Sequence, residues 1–166
     1  MDFRHTAYIG IGSNLGNKKR NCLNGIEAIE GDHECCVETK SPLYLTEPVD
    51  FEDQAWFVNG VIKICTCLDP VGLLNRLKGI EKKAGRVSSG IKFGPRILDL
   101  DILFFDELIL NTEYLTLPHP RLHKRRFVLR PLFDIEPDLI HPVLKKNIRT
   151  LLLDLKDGGR RIILFE

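Results

Sequence analysis

No apolar run in the chain approaches the length of a membrane span, and the start Met1-Asp2-Phe3-Arg4-His5 lacks the apolar core of a secretion signal. There is no excess of charge of either sign. With 24 Lys and Arg against 23 Asp and Glu the net charge is +1, which disfavours a nucleic-acid binder or a polybasic membrane protein. There is no Cys-x-x-Cys and no histidine pair to complete a zinc site. The five cysteines are an odd number, and reduced thiols in a cytoplasmic location are the expectation. Cys65 and Cys67 share a strand face and are expected as small core residues. Repeats, low-complexity segments and linkers are missing too. What remains is a globular chain, 43% apolar and 28% charged, whose 166 residues make one domain over 1–166.

The first chemical signal is Gly94-Pro95-Arg96-Ile97-Leu98-Asp99-Leu100-Asp101-Ile102-Leu103-Phe104. Beyond the Gly-Pro turn, apolar and acidic residues alternate at period two, the mark of a strand. Leu98, Leu100, Ile102 and Phe104 fall on one face. Asp99 and Asp101 fall on the other, followed by Leu103 and Phe105. Two carboxylates two residues apart on a strand are roughly 6 to 7 Å apart at their α-carbons, close enough to converge on hard cations. A solvated face is the alternative for a bare Asp-x-Asp. The apolar residues beyond Asp101 argue against it and for a cleft mouth. Arg96 adds a positive charge beside the acids, and carboxylates, metal and arginine together suit a polyphosphate.

Elsewhere the chain reads as alternating elements. Ala7 to Ile11 enters the turn Gly12-Ser13-Asn14-Leu15-Gly16-Asn17, and a helix follows from Lys18 with Cys22, Ile26 and Ile29 on its buried side. The glycines miss the dinucleotide fingerprint by one residue, and no Gly-Lys-Ser/Thr follows. The turn is therefore structural, with Asn17 as helix cap. Val37 to Leu45 is extended and broken by Ser41-Pro42, and Thr46 to Asp53 is an acidic loop. Phe57 to Cys67 alternates, with Phe57, Asn59 and Val61 on one face. Asp69-Pro70 starts a helix with Leu73, Leu74, Leu77, Ile80 and Ala84 as its stripe and Gly85 at its end. Arg86 to Phe93 is a polar loop hinged at both ends, suited to closing over a ligand. Leu108 to Leu110 is a short partner strand, Thr116 to Arg121 is irregular, and Phe127 to Ile135 is helical up to Pro137. A helix over Ile148 to Leu155 and a short strand or tail over Ile162 to Phe165 close the chain. The pattern favours an α+β fold with helices against a largely antiparallel sheet.

Other candidates are weaker alone. Arg86, Arg121 and Arg125 each read as surface charge when taken singly. His119, between two prolines, is either a structural turn or a phosphate donor. Phe57 and Phe127 read as core, and Asn59 can pair with an amide-like edge through donor and acceptor together.

The Gly94 to Ile102 stretch resembles the signature of the 6-hydroxymethyl-7,8-dihydropterin pyrophosphokinases, enzymes of folate biosynthesis. The turn Gly12 to Asn17, the Thr46, Phe57 and Asn59 region, and Leu117-Pro118-His119-Pro120-Arg121 follow in the family's order, so the likeness runs from about Ala7 to Pro142. The resemblance implies a ferredoxin-like βαββαβ core in a three-layer sandwich. It implies that the β,γ-diphosphate of ATP passes to the pterin hydroxymethyl group with release of AMP. Two Mg²⁺ ions on Asp99 and Asp101 would bridge the substrates. The pterin would lie between Phe57 and Phe127, read by Asn59 and by backbone near Thr46, Pro48 and Val49. ATP would be held by Glu81, Arg86, Arg96, Ile102, Thr116, His119, Arg121 and Arg125. Arg86, Arg96 and Asp101 are the catalytic candidates, the arginines for charge in flight and Asp101 for the hydroxyl proton. Departures from the family pattern are Phe57, Phe93, Tyr114 and Ser88, the last replacing a second loop arginine. The expected partners are ATP and the pterin alone, without nucleic acid or membrane, for a monomer or part of a larger folate-pathway enzyme. The rivals are a metal-dependent nucleotidyltransferase and a ferredoxin-like RNA-binding module.

Overall fold

The computed structural model describes residues 2–85, 90 and 94–165. The expectations on Arg86, Ser88, Phe93 and the loop containing them lie outside the described residues. The order is β1 (His5–Ser13), α1 (Lys18–Glu30), β2 (Cys35–Lys40), β3 (Tyr44–Thr46), β4 (Phe57–Thr66), α2 (Pro70–Lys83), β5 (Asp99–Phe105), β6 (Leu110–Asn111), β7 (Thr116–Leu117), α3 (Arg126–Ile135), α4 (Ile148–Asp154) and β8 (Ile162–Leu164). Six strands form one antiparallel sheet in the order β5-β1-β4-β3-β8. β2 pairs with the far end of β4, on residues 62–66, and β3 with its near end, on residues 57–59. This is a βαββαβ core with the middle strand split at Ser41-Pro42.

The helices begin where the sequence offers caps. Asn17 accepts from the Arg20 amide and Asp69 from the Gly72 amide, each a bond to an otherwise orphaned donor. α2 closes at Gly85, whose φ of +91° suits glycine and whose amide returns to Lys82. α1 and α2 cover one face of the sheet through Cys22, Ile26, Ile29, Leu73 and Leu77, against Ile9, Ile11, Ile62 and Ile64. α3 and α4 cover part of the other face through Val128, Leu129, Leu132, Ile148 and Leu151, against Tyr8, Val61 and Leu103. The result is three layers, with one end of the second face left open.

Four details depart from the sequence reading. β5 carries a bulge: Ile9 faces Ile102 while Tyr8 faces Phe104, so Leu103 is an extra residue. Phe104 therefore joins the α3/α4 core and Phe105 the α1/α2 core, the reverse of strict alternation. Cys67 lies beyond the end of β4 and is exposed, and Cys65 is only half-buried. Ala84 falls at the exposed cap of α2, whereas Glu81 is buried one turn earlier. Leu110–Asn111 pairs with Thr116–Leu117 as a separate hairpin rather than joining the main sheet.

Candidate functional site

The open end of the sheet forms a cleft of about 290 Å³ between the strand ends, the residues 47–56 that join β3 to β4, and the segment leading into α3. Its floor is the face of β1 that carries Gly10 and Gly12. A Cβ at Gly12 would sit 2.6 Å from Asn59 Oδ1, so any other residue there would displace the Asn59 amide.

Asp99 and Asp101 both line the cleft, on the side-chain face predicted from their alternation. Arg96 Nη1 donates to Asp99 Oδ2 at 2.5 Å. Burial, and then the charge of Asp99, push the Asp101 carboxyl up to about 7, with Arg125 pulling the other way. Two acids so placed repel each other, and a bound cation relieves the repulsion. β5 is an edge strand, and Glu81 Oε1 accepts from its Leu100 amide at 2.7 Å, a donor that would otherwise be buried unpaired. Leu74, Lys78 and Glu81 line the cleft at helical spacing on α2.

Arg121 and Arg125 face the acids across the cleft, and both reach Asp50 Oδ2, at 3.2 and 3.4 Å. Burial and the neighbouring Arg121 lower the Arg125 guanidinium below its ordinary value. His119 is held by its amide to Leu103 O at 2.9 Å, the carbonyl of the bulge residue, after a cis Leu117–Pro118 bond. Its Nδ1 accepts from the Arg121 amide at 3.2 Å, which leaves Nε2 as the protonated nitrogen of the neutral ring. Burial and then the charges of Arg125 and Arg121 depress its pKa to about 4, so the ring is neutral at pH 7.

At the other end Phe57, Asn59, Thr46, Val49 and Phe127 line the same cleft. Asn59 Nδ2 donates to Thr46 Oγ1 at 2.6 Å, and Arg125 stands over the Phe127 ring, 5.4 Å from its centre. Of the site residues named from sequence, Pro48, Ile102 and Thr116 do not line the cleft. Ile102 is in the α1/α2 core and Thr116 is in the β6–β7 hairpin. Pro48 offers its carbonyl to Arg160. Sequence reasoning missed Glu47, Asp50, Lys78 and Leu74. Lys78 was legible as the residue one turn before Glu81, whereas Asp50 carried no local signal.

Paired carboxylates opposite an arginine cluster, on a ferredoxin-like sheet, make an arrangement suited to a polyphosphate. The family profile of 7,8-dihydro-6-hydroxymethylpterin-pyrophosphokinase (HPPK) matches residues 8–137. The 2-amino-4-hydroxy-6-hydroxymethyldihydropteridine pyrophosphokinase of Aquifex aeolicus is 40% identical over 144 residues, 87% of this chain and 88% of that one. The folic acid synthesis protein fol1 of Pneumocystis carinii is 45% identical over 157 residues, 95% of this chain but 21% of that protein. The chain spans about a fifth of the length of that relative and of its counterparts in Schizosaccharomyces pombe and Dictyostelium discoideum. In structure it resembles Plasmodium falciparum HPPK-DHPS crystallised with pteroate, with a TM-score of 0.72 at 17% identity over 92% of this chain and 43% of that one. The chain belongs to the 7,8-dihydro-6-hydroxymethylpterin-pyrophosphokinase family. Among the described residues no helix is long and apolar enough to cross a membrane.

Proposed function

We propose that this cleft binds ATP and 6-hydroxymethyl-7,8-dihydropterin together and passes the β,γ-diphosphate to the hydroxymethyl oxygen, with release of AMP. The observation that carries the reading is convergence. Acids, arginines and an aromatic–amide pocket, drawn from distant parts of the chain, line one cleft. Phe57 and Phe127 offer faces to a flat heterocycle, with Asn59 and Thr46 at its edge. Arg96, Arg121, Arg125 and the Nε2–H of His119 offer donors to a polyphosphate. Glu81, which braces the Leu100 amide, borders the nucleotide side.

Asp99 and Asp101 would hold Mg²⁺, since hard oxygen donors and mutual repulsion fit a divalent cation. Bound there, the metal would supply charge neutralisation and orientation of the phosphates. The chain's own groups then act by position. Aromatic walls orient the pterin alcohol, and the arginines neutralise charge that develops on the transferred group. Asp101, which lines the cleft beside Asp99, would also take the hydroxyl proton. The test is product analysis with ATP, Mg²⁺ and the pterin alcohol. AMP release is expected. Pyrophosphate release would favour a nucleotidyltransferase, and no turnover a binding module. The longer fungal relatives support the reading that such a unit also works within a larger folate-synthesis protein.

A further inference from the structure

Of residues 47–56, Glu47, Val49 and Asp50 line the cleft. Asn14 and Lys18 hold the 54–56 end, and Arg160 and Arg161, which lead into β8, grip the segment from outside. The Arg161 amide donates to Glu47 Oε2 at 2.8 Å and its Nε to Glu47 Oε1 at 2.8 Å, while the Glu47 amide donates back to Arg161 O at 3.3 Å. The Arg161 guanidinium also covers the Trp56 ring, 4.7 Å from its centre. One side chain thus touches the first and the last residue of the segment. Arg160 holds the middle, with Nη1 donating to the Pro48 carbonyl at 2.9 Å and Nη2 paired with Glu52.

The same strap is tied to the opposite wall. Asp157 takes both Nε and Nη2 of Arg126, at 2.7 and 3.1 Å, one residue before Phe127. Between the two ties lies a second cavity of about 260 Å³, bordered by Thr46, Glu47, Val49, Phe127, Arg161 and Ile162. Thr46, Glu47, Val49 and Phe127 border the substrate cleft as well. Ile163 and Leu164 of β8 are half-exposed. Arg160 and Arg161 thus tie Glu47, Pro48 and Glu52 on one side and Asp157 ties Arg126 on the other, beside the β3–β8 pairing at Thr46 and the bonds of Arg121 and Arg125 to Asp50. Asp157, Arg160 and Arg161 lie outside the 8–137 match to the family profile.

We propose that Arg160 and Arg161 are positioning residues that set the width of the pterin end of the cleft by clamping residues 47–56 to the C-terminal strand. The proposal rests on the reading of that end as the pterin pocket. Exposed ion pairs contribute little to global stability, so their loss moves the wall rather than unfolding the chain.

The experiment is steady-state kinetics with each substrate varied in turn, with thermal melts and the emission of Trp56, the single tryptophan. For Arg161→Ala the KM for the pterin is expected to rise at least tenfold, while the KM for ATP stays within twofold and the melting temperature within a few degrees. Its Trp56 emission should shift. Arg161→Lys should recover part of the loss, and Arg160→Ala should give a smaller rise of the same kind. The exchange Glu47→Arg with Arg161→Glu should restore the pterin KM further than either single change does. Equal weakening of both substrates, an unchanged pterin KM, or failure of Arg161→Ala to fold would each overturn the positioning role. Absence of pterin-dependent AMP release by the unaltered chain would instead overturn the functional reading.

Discussion

Asn14 and Arg96 hold each other by two hydrogen bonds across 82 residues of sequence. The Asn14 amide donates to Arg96 O at 3.0 Å, and the Arg96 amide donates to Asn14 Oδ1 at 2.7 Å. Asn14 Nδ2 continues to Gln54 Oε1 and Ala55 O, so a buried glycine-turn residue links β1, the 47–56 segment and the arginine beside Asp99. Asn14→Ala leaves the Arg96 amide without its acceptor, at a cost of about 1–3 kcal/mol. Urea denaturation should show that loss, and kcat/KM for ATP should fall at least tenfold as Arg96 loses one of its two backbone ties. Asn14→Asp, which keeps Oδ1, should lose less of both.

Asp99→Asn and Asp101→Asn should each lower kcat by about a thousandfold or more, a barrier rise of about 4 kcal/mol. Each removes an anionic donor from the pair that would hold the metal. Circular dichroism should be unchanged, and the rise in melting temperature that Mg²⁺ gives the unaltered chain should vanish. Near-normal turnover by either variant at ordinary Mg²⁺ would refute the metal assignment.

Asp50 occupies the two arginines that a polyphosphate would need, from a backbone held at φ +70°. Asp50→Asn removes this internal competitor. An exposed pair contributes about 0.5–1 kcal/mol, so the KM for ATP should fall about two- to fivefold. A rise instead would mean that Asp50 orients Arg121 and Arg125 rather than competing for them.

His119 gives a pH dependence of definite sign. Its folded value of about 4 lies below the ordinary 6.5, so the unfolded chain binds the proton more tightly. The stability this ring contributes is intact above pH 6.5 and is lost as the pH falls from 6.5 through 4. Denaturation at several pH values should show a flatter profile over that range for His119→Gln. A ring titrating near 6.5 by NMR would remove the basis of the prediction.

Much of the site was legible because its signals are local. Asp99 and Asp101 declare a shared face by period-two spacing, and Asn17 and Asp69 announce helix starts within three residues of the groups they cap. The Leu103 bulge was not legible, because an extra residue in one strand is defined only against its partner β1. Arg160 and Arg161 were silent for a similar reason. Arg161 meets Glu47 114 residues away, and no spacing rule reaches that far. Cys67 misled because alternation predicts a face without saying where cover ends, and β4 stops one residue earlier.

The extra residue in β5 makes one strand behave as two segments with independent registers. Up to Ile102, inward-pointing positions fill the α1/α2 core while Asp99 and Asp101 face the open cleft. From Leu103 the parity flips, so that Phe104 meets α3 and Phe105 returns to α1/α2. The bulge carbonyl also fastens His119, so the histidine's position follows the point of parity change rather than the carboxylate end. Deleting Leu103 would restore strict alternation with Phe104 still opposite Tyr8 and Phe105 still opposite Ala7, leaving Asp99 and Asp101 in place. Chemistry at one end of the strand is thereby decoupled from packing at the other, and either half can accept substitutions without re-indexing its neighbour.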